Sequence, residues 1–129
     1  MNCMSEVNIL FKSHNTTENE IVEYIANADY QILDGNSIVK YIEPETNCYV
    51  DMYYNSKEII INRNGDYYSK MVFLKEGKSF ATYYLENNRI DFELNVVDLK
   101  ISKKKLLINY EIILHGNENT CFKLEIKID

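Results

Sequence analysis

A guanidinium, a carboxylate and several phenols form the grouping in this 129-residue chain whose chemistry stands out. The candidates are Arg63, Glu43, Tyr41, Tyr49, Tyr67 and Tyr84. A guanidinium offers a planar fork of donors that matches carboxylate or phosphate, and phenols add hydroxyls that donate and accept. Such a set can hold the polar end of a small anionic or amphipathic ligand. It can equally be a structural ion pair closing a fold, because buried charges are paired whatever the function.

Templates for catalysis fare worse. The chain contains no G-x-S-x-G, HExxH, glycine-rich phosphate loop or zinc-ligand spacing. Cys121 and His115 can be written as a dyad, but Cys121 alternates with apolar neighbours and so faces solvent, without a third group to orient the histidine. His115 sits beside Gly116 and reads as a turn residue, while His14 falls in a polar loop. Glu93 and Glu111 point outward by alternation. The expectation is a non-enzyme with no cofactor and no metal.

Charge and cysteine usage narrow the field further. A net charge of −6 lacks the basic face of nucleic-acid binders. Lys103-Lys104-Lys105 is the only cationic run and reads as a solvated turn. Cys3, Cys48 and Cys121 are widely spaced, without a CxxC pair, which fits neither a disulfide framework nor a zinc site. The first residues show no basic-then-apolar leader, and no stretch approaches the roughly 18 apolar residues of a spanning helix. A cytoplasmic, reduced protein with no membrane contact is expected.

The elements that must position the candidates are strands. Glycine (4) and proline (1) are scarce while tyrosine (11) is abundant, a composition suited to pleated surfaces. Ile90, Phe92, Leu94 and Val96 alternate with polar residues, as do Phe122, Leu124, Ile126 and Ile128. Ten strands follow: Glu6–Lys12, Glu20–Leu33, Ser37–Glu43, Asn47–Tyr54, Lys57–Arg63, Tyr67–Lys75, Lys78–Tyr84, Arg89–Ser102, Lys105–His115 and Thr120–Ile128. Between them Asp34-Gly35-Asn36, Asn55-Ser56, Asn64-Gly65, Glu76-Gly77, Asn87-Asn88 and Gly116-Asn117 are hairpin chemistry, because Gly and Asn tolerate positive φ. Residues His14–Asn19 form a turn that Thr16 or Thr17 can cap. Successive hairpins make an up-and-down meander, and one this long removes its edges by closing. The expected fold is therefore all-β: one domain over residues 1–129, an antiparallel barrel of about eight to ten strands with little helix.

Strand direction then sorts the residues by end. Odd strands end and even strands begin at the same mouth, which collects Glu43, Tyr49, Arg63, Tyr67, Tyr83, Tyr84, Arg89 and His115. Gly35, Asn55, Glu76 and Lys104 go to the other end. If Ile59 and Ile61 face inward, Arg63 does too, and Glu43 meets it across a strand whose inner face is either Tyr49, Asp51 and Tyr53 or Val50, Met52 and Tyr54.

With the strands placed, the middle of the chain resembles the YwiB-like family of small bacterial β-barrel proteins of unknown function. Tyr41-Ile42-Glu43 resembles a Tyr-x-Glu strand end, and Arg63-Asn64-Gly65 an Arg-x-Gly turn followed by Met71-Val72-Phe73. Phe80-Ala81-Thr82-Tyr83-Tyr84 resembles a Thr-Pro-Tyr-Gly stretch, although Tyr83 replaces the proline and Leu85 the glycine. The resemblance covers roughly Glu20 to Ile128 and implies a calycin-like (lipocalin-like) barrel without implying an activity.

Two functions remain open. A binding module would show an interior cavity of some hundreds of Å³ at the Arg63 end, whereas Phe73, Phe92 and Tyr110 plugging the interior would argue against it. The alternative is an interaction module, a homodimer or partner complex through the barrel wall, to which outward Leu107 and Ile113 point.

Overall fold

The computed structural model describes residues 4–129, so Cys3 lies outside the described residues. Ten strands run in chain order: β1 Met4–Asn15, β2 Glu20–Leu33, β3 Asn36–Ile42, β4 Tyr49–Tyr54 and β5 Glu58–Asn64, then β6 Tyr68–Leu74, β7 Ser79–Leu85, β8 Asn88–Ile101, β9 Lys105–Ile112 and β10 Thr120–Ile128. Each pairs antiparallel with the next, and β1 pairs with β10 to close the barrel. The expected meander and its closure are both present. Closure leaves every strand paired on both sides.

Most boundaries differ from the sequence reading by a residue or two. The larger differences are β1, which continues to Asn15 against β2 and β10, and β9, which stops at Ile112. His14 is consequently a strand residue registered between Ile21 and Lys123, not a loop residue. The β1–β2 turn is held by Thr17, whose hydroxyl accepts the Cys121 backbone N–H at 2.9 Å, and no helix forms there.

Side chains alternate across the wall as the period of two demands. Ile9, Val39, Met52, Ile59, Phe73, Ala81, Leu106, Ile108 and Ile126 point inward and have no exposed surface. Outside, Asp29, Lys40, Asp51, Asn62, Lys70, Thr82 and Asp91 register one beside the next across seven strands. No helix among the described residues is long and apolar enough to cross a membrane. A bulge between Val96 and Asp98 inserts one residue into β8 and turns Val97 out to solvent.

The barrel is filled unevenly. At the end away from Arg63, Tyr54 is buried and donates to the Lys103 carbonyl at 2.6 Å, and Tyr30 shares a 3.0 Å bond with Ser37. Phe73 packs edge-on against Tyr110 near the middle, with ring centroids 4.9 Å apart. The opposite end stays open.

Candidate functional site

The open end is built on an inward row of Tyr41, Val50, Arg63, Ser69 and Tyr83, registered across β3 to β7. Val50 and Ser69 are small, so the long side chains on either side can lean over them. Glu43 follows Tyr41 by two residues on the same face, one step nearer the mouth, and Pro44 prevents the ladder from continuing. Its backbone N–H still bonds to the Cys48 carbonyl at 2.8 Å, which fixes the carboxylate over the interior.

Arg63 meets that carboxylate side-on. Nε donates to Oε2 at 3.1 Å and Nη2 to Oε1 at 2.8 Å, and the Thr46 hydroxyl donates to Oε1 at 3.0 Å. Nη2 also lies 3.8 Å from Cys48 Sγ. Burial works against the arginine's charge, but the hydrogen bonds and charge of Glu43 overcome it and hold the guanidinium above its usual pKa. The expected Glu43–Arg63 meeting is thus present, with Val50, Met52 and Tyr54 as the intervening inner face.

The hydroxyls of Tyr41 and Tyr24 share a 2.6 Å hydrogen bond. One phenolic proton occupies that bond, which leaves the other for an acceptor in the cavity. Burial, with smaller contributions from Glu43, pushes the Tyr41 phenol up to about 12, and Tyr24 is raised by burial and by its neighbour Tyr41. Phe11 stacks on Tyr24 at 4.6 Å, and Tyr110 stacks on Phe122 at 5.2 Å.

These groups enclose a cavity of about 360 Å³ that opens at the mouth. Phe11, Val22, Val50, Ile61, Met71, Tyr110 and Leu124 make its apolar wall, while Tyr24, Tyr41, Glu43, Thr46 and Arg63 form a polar strip along one side. A neighbouring apolar hollow of about 400 Å³ lies between Tyr67, Tyr83, Leu85, Ile90, Phe92 and Ile112. Larger hollows of about 500 and 540 Å³ lie on the outer wall around Ile25, lined mainly by outward side chains such as Asp29, Lys40, Lys12 and Glu23. They are surface troughs. The interior is therefore only half plugged: Tyr110, backed by Phe73, lines the cavity rather than filling it.

Two candidates are misplaced by the sequence. Tyr49 starts β4 on the outward parity and is 64% exposed, because Val50 takes the inner face. Tyr84 also faces out, against Tyr68 at 5.6 Å and under the Arg89 guanidinium at 5.9 Å, while Arg89 pairs with Asp91 at 3.1 Å. Tyr67 stands at the rim beside Tyr83, with ring centroids 6.5 Å apart. Its place is the apolar hollow, not the polar strip. The sequence does not single out Tyr24 and Phe11, which the structure brings into the site. Their signal is the run of Tyr24, Ala26, Ala28 and Tyr30 at intervals of two, which Ile21 and Ile25 on the other parity obscure.

Residues 7–126 match the family described as "Domain of unknown function (DUF1934)". The chain belongs to this family. Among solved structures, the ywiB protein from Bacillus subtilis shares the DUF1934 chain's fold with a TM-score of 0.75. The two are 11% identical, and the match covers 99% of this chain and 92% of that one. No curated protein matches the chain. The YwiB-like resemblance noted in the sequence is borne out, and the barrel is shared with the ywiB structure.

Proposed function

We propose that this barrel is a binding module for a small amphipathic molecule, held in the cavity at the Arg63 mouth. The observation that carries the reading is the asymmetry of the interior: one end is packed solid and the other holds about 360 Å³ with an apolar wall and a polar strip. That volume lies within the range of small-ligand sites. The apolar part of the guest would lie against Phe11, Val22 and Met71. Its polar group would accept from the spare Tyr24/Tyr41 proton and from Arg63 Nη1, which Glu43 leaves unengaged. Since Glu43 already neutralises Arg63, the pair acts as a fork of donors more than as a bare positive charge.

The test uses a neutral apolar fluorophore, N-phenyl-1-naphthylamine, whose emission rises on leaving water. Saturable one-to-one binding is expected, and Val22→Trp at the exposed edge of the cavity should weaken it at least tenfold while strand circular dichroism is retained. Absent binding, or equal binding by the folded variant, would overturn the reading.

A homodimer through the wall is the second reading, favoured by a different row than the sequence indicated. Leu107 and Ile113 are half-buried, and so are Ile38, Tyr53 and Ile60, which with buried Val72 and exposed Phe80 register as a continuous outward apolar row across β3 to β7. Sedimentation of the same sample distinguishes the two readings.

A further inference from the structure

We propose that the guest carries a positive charge besides its acceptor group: its apolar body lies in the cavity, its acceptor on the Tyr24/Tyr41/Arg63 strip and its cationic group beyond that strip at the rim; this rests on the cavity being a binding site. Each of the five turns at the mouth presents an exposed carboxylate: Glu18, Glu45, Asp66, Glu86 and Glu118. None of those turns contains a lysine or an arginine. The lysines instead gather in the turns of the opposite end, at Lys57, Lys75, Lys78, Lys103 and Lys104. The barrel therefore has two ends of opposite sign, and the cavity opens at the negative one.

Inside the collar, neither arginine of the mouth is left as a free positive charge. Arg63 is held by Glu43 at 2.8 Å, and Arg89 faces the outer wall on Asp91. An approaching anion meets five carboxylates before it reaches a guanidinium already paired. A cation meets the same carboxylates as attraction, then a cavity lined in part by the aromatic rings of Phe11, Tyr24 and Tyr110. Charges of one sign around a low-dielectric cleft focus the potential and raise the local concentration of counter-charged ligand by tenfold or more. The collar is not itself the site. It sets which charge the cavity admits.

Calorimetric titration with octyltrimethylammonium, octyl sulfate and octanol, below micelle-forming concentrations, tests this with one apolar chain and three head groups. At low salt the ammonium should bind about tenfold tighter than the sulfate, and molar salt should erase the difference, because screening then acts within about 3 Å. The triple variant Glu45→Gln, Asp66→Asn, Glu86→Gln changes only exposed turn residues and should bring the two ions to within about twofold at low salt. Sulfate binding as tightly as ammonium, or a preference that survives in the triple variant, would overturn the cation inference while octanol binding upheld the cavity. Failure of all three probes would overturn both.

Discussion

Glu43 and Arg63 illustrate how a paired charge and a ligand group can occupy the same atoms. The Glu43 side chain is 10% exposed and that of Arg63 32%, so the pair is half withdrawn from water. Removing one partner of a fully buried pair costs several kcal/mol because the survivor is stranded, and partial exposure reduces that penalty. Arg63→Met should lower stability by about 2 kcal/mol in urea unfolding, since Glu43 would retain only Thr46 as a side-chain donor. Adding Glu43→Leu should return most of the loss, because no uncompensated carboxylate remains. If the single variant were as stable as the parent, the pair would have no structural role and its geometry would serve the guest alone.

At the scale of elements, the mouth depends on how the turns lean on one another. A Cβ placed on Gly65 in the β5–β6 turn would lie 2.5 Å from Cys48 Sγ, in the loop that carries Glu43. Real Cβ atoms do not approach so closely, and Cys48 has only a short side chain with which to yield. Gly65→Ala should cost about 1–3 kcal/mol by overpacking, and Cys48→Ala in the same chain should relieve most of it; equal penalties in both backgrounds would place the strain elsewhere. The hairpins themselves were legible, because alternating runs such as Ile90–Val96 and turn residues such as Asn64-Gly65 each report local geometry. The parity of Ile59 and Ile61 places Arg63 inward. No such parity places Tyr49, because β4 reads Tyr-Val-Asp-Met-Tyr-Tyr, with bulky residues on both parities. Tyr41 registers with Ala28, four residues from Tyr24, so the two hydroxyls meet only because both long side chains lean across the interior, which local alternation does not report.

For the whole molecule, closure decides how the buried tyrosines behave. The β1–β10 seam joins the two ends of the described chain through Phe11 with Ile126 and Ile9 with Ile128, so no strand can leave without opening the ring. Burial raises the phenols of Tyr24, Tyr41, Tyr54, Tyr83 and Tyr110, and Tyr41 reaches about 12. An unfolded chain releases these protons near pH 10, while the barrel retains them. Between those values the unfolded state binds fewer protons, so stability falls as pH rises. The contribution of Tyr41 is fully present below pH 10 and is lost as the pH passes through about 12. An alkaline titration should therefore show a cooperative jump in tyrosinate absorbance that coincides with loss of the strand circular dichroism signal. Gradual ionisation of the buried phenols with the strand signal intact would mean that the mouth opens locally, and the barrel would not be the single cooperative unit its closed topology makes it.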